Sequence, residues 1–150
     1  MLPYTPGRNE YYSSATWEYL YPDGSPGIGL FTSLNHPWGS APTFVLTDYV
    51  LGVVPTSPGF VTWSFEPILG EQLGLTWVEG SVPTPKGAIS AGWSLGGNSS
   101  TILTVNAPSG TNGTCQVRGK NVIAINGRRL QTQNATAFVT GGQQVQIEFQ

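Results

Sequence analysis

From Val61 onward, apolar and polar residues alternate with a period of two, the spacing at which successive side chains leave opposite faces of a β-strand. Val61, Trp63 and Phe65 form one apolar set, Leu73, Leu75 and Trp77 a second, and Ile89, Ala91, Trp93 and Leu95 a third. Each set predicts a half-buried strand, and places Trp63, Trp77 and Trp93 in a core. Residues 67–70, 80–87 and 96–98, rich in Gly, Pro and Asn, break the sets apart. The pattern continues through Leu103 and Val105, Cys115 and Val117, and Val122 to Ile125. It is clearest at the end, where Val145, Ile147 and Phe149 alternate with Gln144, Gln146 and Glu148. Asn126-Gly127 separates two such runs, 121–125 and 128–133, and predicts a type I′ hairpin because both turn positions require φ > 0.

The first part of the chain lacks this alternation. In 41–51 the apolar residues fall at 44, 45, 46, 49, 50 and 51, which predicts a short helix near 42–52 with Pro42 in its first turn and Gly52 at its end. Before it, 21–29 contains Pro22, Asp23, Gly24, Pro26 and Gly27 and reads as a loop. The expectation is an all-β protein: an antiparallel β-sandwich of jelly-roll type over 59–150, preceded by a loop and short-helix segment over 1–58.

Composition agrees. Only 9% of residues are charged, while Gly numbers 20 and Pro 12, a balance poor in helix formers and rich in turn formers. The net charge is −2 but unevenly spread, with one base, Arg8, before residue 86 and a single acid, Glu148, after it. Arg118, Lys120, Arg128 and Arg129 form at most a small basic patch, so nucleic acid is not expected as a partner. No apolar run approaches the length of a membrane span, and membrane insertion is not expected.

Cys115 is the only cysteine and His36 the only histidine, so no intrachain disulfide is possible and neither a metal nor a cofactor is expected. Cys115 reads as a small buried hydrophobe. Three glycosylation sequons begin at Asn98, Asn112 and Asn134, all in predicted turns, and point to an extracellular or secreted protein, although the start has no apolar signal-peptide core.

Candidate chemistry lies in the first sixty residues. Thr16-Trp17-Glu18, Pro22-Asp23-Gly24-Ser25, Ser33-Leu34-Asn35-His36, the helix to Tyr49-Val50-Leu51-Gly52, Leu75-Thr76-Trp77 and the run Gly80 to Gly87 occur in one order. Together they resemble the end of a fungal-type α-L-rhamnosidase of glycoside hydrolase family 78. The resemblance implies the last part of an (α/α)6 barrel followed by the C-terminal β-sandwich. It also implies cleavage of terminal α-L-rhamnose with inversion, in which one carboxylic acid protonates the leaving oxygen and one carboxylate activates water. Carried over on these residues, Glu18 takes the general-base position and His36 an active-site position, with Trp38 beside it. The general acid of that family belongs to an upstream segment absent from this sequence, so catalysis by the chain alone is not expected.

The resulting expectation is a non-catalytic, lectin-like extracellular binding protein whose partner is a carbohydrate or glycoconjugate. Trp17, Tyr19, Tyr21, His36 and Trp38 are the candidate sugar-binding residues, since flat rings with nearby polar groups suit a saccharide. Two alternatives stand beside it: a fragment of an inverting α-L-rhamnosidase that needs the rest of the barrel, and an immunomodulatory-type protein that recognises a cell-surface receptor. Leu30, Phe31, Leu34, Phe44 and Leu46, which a whole barrel would cover, favour a homodimer, the alternative being a segment that folds back or stays partly disordered.

Overall fold

The computed structural model describes residues 11–70 and 74–150, which leaves Leu73 outside the described residues. Two compact units divide the chain between Phe44 and Val45. The expected boundary near residue 58 therefore moves forward, because Leu51 and Val53 are buried in the core of the second unit.

Among the described residues, the second unit contains ten strands. They are β1 (Val53–Pro55), β2 (Thr62–Phe65), β3 (Trp77–Thr84), β4 (Gly87–Leu95), β5 (Thr101–Asn106), β6 (Asn112–Gln116), β7 (Val122–Ile125), β8 (Arg128–Asn134), β9 (Thr136–Thr140) and β10 (Gln144–Phe149). One sheet has the order β1-β2-β6-β9 and the other β3-β4-β5-β10-β7-β8. Alternation decides what lies inside. Ile89, Ala91 and Trp93 of β4, Leu103 and Val105 of β5, and Val145, Ile147 and Phe149 of β10 are all buried. They share one core cluster with Val53, Trp63 and Phe65 of the other sheet. Burial of each such large side chain stabilises the fold by about 1.5–3 kcal/mol, so a one-residue slip of register, which would turn a whole set outward, is strongly disfavoured. Among the described residues, the strand pairings are antiparallel except one: β2 and β6 run parallel, with Trp63 opposite Gly113 and Phe65 opposite Cys115.

That parallel pair is held by an aromatic. The Trp63 ring is fully buried over Gly113, where an added Cβ would come within 2.3 Å of its ring carbons. The indole N–H donates to Thr111 Oγ1 at 3.2 Å, and that hydroxyl donates in turn to Pro108 O at 2.8 Å, so no polar group is left unpaired beneath the ring. Trp93, on the opposite sheet, donates its indole N–H to Val50 O at 2.8 Å.

The hairpin at Asn126-Gly127 has φ of 49° and 75°, as a type I′ turn demands. Asn126 also ties the hairpin to β10, exchanging its N–H and Oδ1 with the backbone of Gln146 at 2.8 Å each. The expected helix is present as α1 (Ala41–Val45), continued by one wider turn over Leu46–Leu51 that ends where Gly52 adopts φ 88°. Only glycine fits there, since a Cβ would stand 2.4 Å from Pro67 Cα.

Two expectations are corrected. Trp77 is 62% exposed, because Val78 rather than Trp77 pairs with the buried Trp93 and the inward set of β3 is Val78, Gly80 and Val82. Val61 is also exposed, one residue ahead of β2, while Trp63 and Phe65 take the inner positions. Lys120, placed in a basic patch by sequence, has its ammonium bound to Ser99 O and to Thr101 Oγ1, where it fastens the loop before β5. Among the described residues no helix is long and apolar enough to cross a membrane.

Two measurements check this packing. Gly113→Ala should lower unfolding stability by about 1–3 kcal/mol through overpacking against Trp63, while Gly97→Ala, in open space, should stay close to wild type in the same denaturant titration. Cys115 is fully buried, and that burial pushes its thiol up to about 12. A thiol reagent at neutral pH should therefore leave it unmodified until denaturant unfolds the chain. The thiol's contribution to stability should be complete below its ordinary value of 9.0 and be lost as pH rises from there through about 12.

Candidate functional site

In the first unit, two short segments are joined through their backbones. Glu18 N–H donates to Ser33 O at 2.9 Å, and His36 N–H donates to Thr16 O at 2.9 Å. Thr16 Oγ1 adds a bond to His36 O at 3.3 Å. These bonds bring residues that are far apart in sequence to one place. Trp17 anchors the pairing from below: it is 3% exposed, donates its indole N–H to Ser13 Oγ at 2.9 Å, and meets Tyr11 edge-on with ring centroids 6.5 Å apart. Ser13 Oγ itself donates to Leu34 O.

Strand-like alternation then turns Glu18 away from Trp17. Its Oε2 accepts the Ser33 N–H at 3.1 Å and stands 3.7 Å from His36 Nδ1, close enough for an ion pair when the imidazole is protonated. Trp38 closes the group. Its indole N–H donates to Glu18 O at 3.1 Å, and its ring lies over the imidazole with centroids 4.4 Å apart at 38°. Neither side chain of the pair is sealed from water, with 31% of His36 and 22% of Glu18 exposed, and 68% of Trp38 faces solvent. The arrangement is a fixed, accessible carboxylate with one lone pair committed to a backbone donor and the other oxygen free for a proton from a hydroxyl or a water.

The structure thus unites Glu18, His36 and Trp38. Tyr19 and Tyr21 pair with each other, edge to face at 5.9 Å, and both are about half exposed. Their loop is tightly specified. Gly27 N–H donates to Tyr19 O at 3.1 Å, and a Cβ at Gly27 would collide with the Tyr19 ring. Asp23 Oδ1 accepts from Ser25 N–H at 2.9 Å and Ser25 Oγ at 2.7 Å, and these bonds hold its carboxyl below the usual carboxylate value. Trp17 is corrected: as a buried anchor it has no ring face to offer a sugar. Sequence reasoning placed Ser33 in a motif but gave it no role, because its contribution is a backbone N–H that any residue type except proline would carry. It also missed a pocket of about 420 Å³ lined by Tyr11, Ser25, Pro26, Gly29, Thr32 and Leu34, a lining that does not include Glu18, His36 or Trp38.

The three sequons are solvent-exposed at their asparagines, but only Asn98 sits in a turn. Asn112 begins β6 and Asn134 ends β8, because the Gly and Thr around them pair across the sheets instead of turning. Among the described residues, no group of three or more His, Cys, Asp or Glu side chains is placed to hold a metal.

Residues 52–129 match the family of the bacterial alpha-L-rhamnosidase C-terminal domain, which is more than half of the chain. The chain belongs to that family. An alpha-L-rhamnosidase of Alteromonas sp. (strain LOR) is 34% identical over 87 residues, 55% of this chain and 9% of that protein. The rhamnosidase C-terminal fold extends further in solved structures. An alpha-L-rhamnosidase from Dictyoglumus thermophilum matches with a TM-score of 0.66 at 18% identity, covering 79% of this chain and 14% of that one. One from Streptomyces avermitilis, complexed with L-rhamnose, matches at 0.65 and 20% identity over 91% of this chain and 14% of that one. One from Aspergillus terreus matches at 0.60 and 25% identity, covering 84% and 14% respectively. Val45–Gln150 makes up 106 of the 150 residues, so coverage of 84–91% reaches into the first unit of the rhamnosidase-like chain as well. The chain spans only 9% of the length of the Alteromonas protein and 14% of each solved relative.

Proposed function

We propose that the first unit recognises a terminal α-L-rhamnoside, and that Glu18 acts as the general base of an inverting hydrolysis when the segment works within a complete α-L-rhamnosidase. The observation that carries this reading is the Glu18 carboxylate, fixed by the Ser33 N–H and flanked by His36 at 3.7 Å, with the exposed Trp38 ring beside it. A base that activates water must be held in place and still reach solvent, and Glu18 meets both conditions. Inversion needs a second carboxyl about 6.5–9.5 Å away to protonate the leaving oxygen. In this reading that acid comes from the catalytic barrel of the same enzyme. His36 is the polar neighbour for sugar hydroxyls, and the Trp38 face is the platform for the apolar side of the ring. Support comes from the rhamnosidase relatives, one of which was solved with L-rhamnose.

A second reading, lectin-like binding without catalysis, rests on the exposure of Tyr19, Tyr21 and Trp38, which are 53%, 47% and 68% exposed. Both readings share the saccharide, and they part at Glu18. Within a complete rhamnosidase, Glu18→Gln should lower kcat on 4-nitrophenyl α-L-rhamnopyranoside by about 10²–10⁴-fold with KM and Tm nearly unchanged, and the wild-type product should first appear as the inverted β-anomer by proton NMR. Full kcat in Glu18→Gln would remove the base, and rhamnoside binding in the same variant would then favour the lectin reading.

A further inference from the structure

The solvent face of the six-stranded sheet carries an ordered array of side chains with no part in the site of the first unit. Strand register sets Trp77, Ser94, Ile102 and Glu148 side by side in one row across β3, β4, β5 and β10. Glu79, Gly92, Thr104 and Gln146 form the next row, and Ser81, Ser90, Asn106 and Gln144 the third. The residues between these rows, among them Trp93, Leu103 and Ile147, are buried, so these rows make the outer surface. Its middle is low. Gly92 has no side chain, and a Cβ there would press within 3.0 Å of Val78 O. Two adjoining hollows result, of about 480 and 360 Å³, and both are lined by Glu79, Gly92 and Thr104.

The chemistry of this surface is selective. Glu79 is the one charged residue lining either hollow among the described residues, and no Lys or Arg lines them, which disfavours phosphate, nucleic acid and acidic peptides. Hydroxyls and amides from Ser81, Ser90, Thr104, Asn106 and Gln144 offer both donors and acceptors. At one margin stands Trp77, 62% exposed on an edge strand, a flat apolar ring beside a polar floor. A neutral sugar has matching parts: an apolar C–H face for the indole and a ring of hydroxyls for the amides, hydroxyls and single carboxylate.

We propose that this face is a second saccharide site, which binds a neutral oligosaccharide with one sugar stacked on Trp77 and the next seated over Gly92 between Glu79, Thr104 and Asn106. Being in the other unit, it is independent of Glu18 and serves to hold a glycan chain to the protein rather than to cleave it.

The test applies the purified full chain to an array of neutral gluco-, manno-, galacto- and rhamno-oligosaccharides together with acidic ones, followed by calorimetry on the best binder. Binding to a neutral oligosaccharide is expected, weakened about tenfold or more by Trp77→Ala and by Asn106→Ala, with Tm and circular dichroism retained and with Phe138→Ala, at an exposed ring of the other sheet, without effect. Asn106 and Trp77 are both exposed, so two independent variants guard against loss of folding. The proposal is overturned if no neutral oligosaccharide binds, if acidic ones bind better, or if Trp38→Ala abolishes binding that Trp77→Ala and Asn106→Ala leave intact. That last pattern would leave the rhamnoside site standing and remove only this one.

Discussion

The contact of Trp63 with the bare backbone of Gly113 is the constraint on which the sandwich depends. It lets β2 and β6 approach as a parallel pair, and that pair is the seam between the early strands β1 and β2 and the later strands β6 and β9. Parallel neighbours need a long connection, and here the connection contains β3, β4 and β5, which lie in the other sheet. One aromatic packed on one glycine therefore couples the two sheets through the chain path as well as through the core. The Thr111 hydroxyl, shared between the Trp63 indole and Pro108 O, makes the same position polar enough to accept an indole without an unpaired N–H.

The first unit is built on a different economy. Its largest buried side chain is Trp17, and its order comes from backbone bonds between residues 16–18 and 33–36 and from side chains that cap loops, such as Asp23 and Ser13. Placing Glu18 on such a frame fixes the carboxylate without burying it. Deep burial would favour its neutral form and remove the base, whereas a fully mobile surface carboxylate would lose the positioning that general-base chemistry requires.

Most of the sandwich was legible because alternation and turn chemistry are local. β10 shows it most plainly, with Val145, Ile147 and Phe149 all inside, as does the Asn126-Gly127 turn. Trp77 was not legible, since a period of two fixes which residues share a face but not which face looks inward. Its alternation with Leu75 continues across a bend that ends before β3 begins. The parallel β2–β6 pairing is a non-local choice with no signature in either strand. In the site, Glu18, His36 and Trp38 were named through a resemblance, and the structure sets the three side by side. The inward turn of Trp17 was hidden because an aromatic next to a functional residue serves equally well as platform or anchor until the partner of its indole N–H is known.

The proposed function requires that Glu18, His36 and Trp38 form a rhamnose-binding surface. Heteronuclear NMR of the full chain titrated with L-rhamnose reads this residue by residue, because each of the five tryptophans contributes its own indole N–H signal. Saturable shifts of the Trp38 indole and the His36 imidazole are expected, with the buried indoles of Trp17, Trp63 and Trp93 unmoved. Saturable shifts elsewhere with Trp38 and His36 still, or no shift at any residue up to molar sugar, would contradict the proposed function.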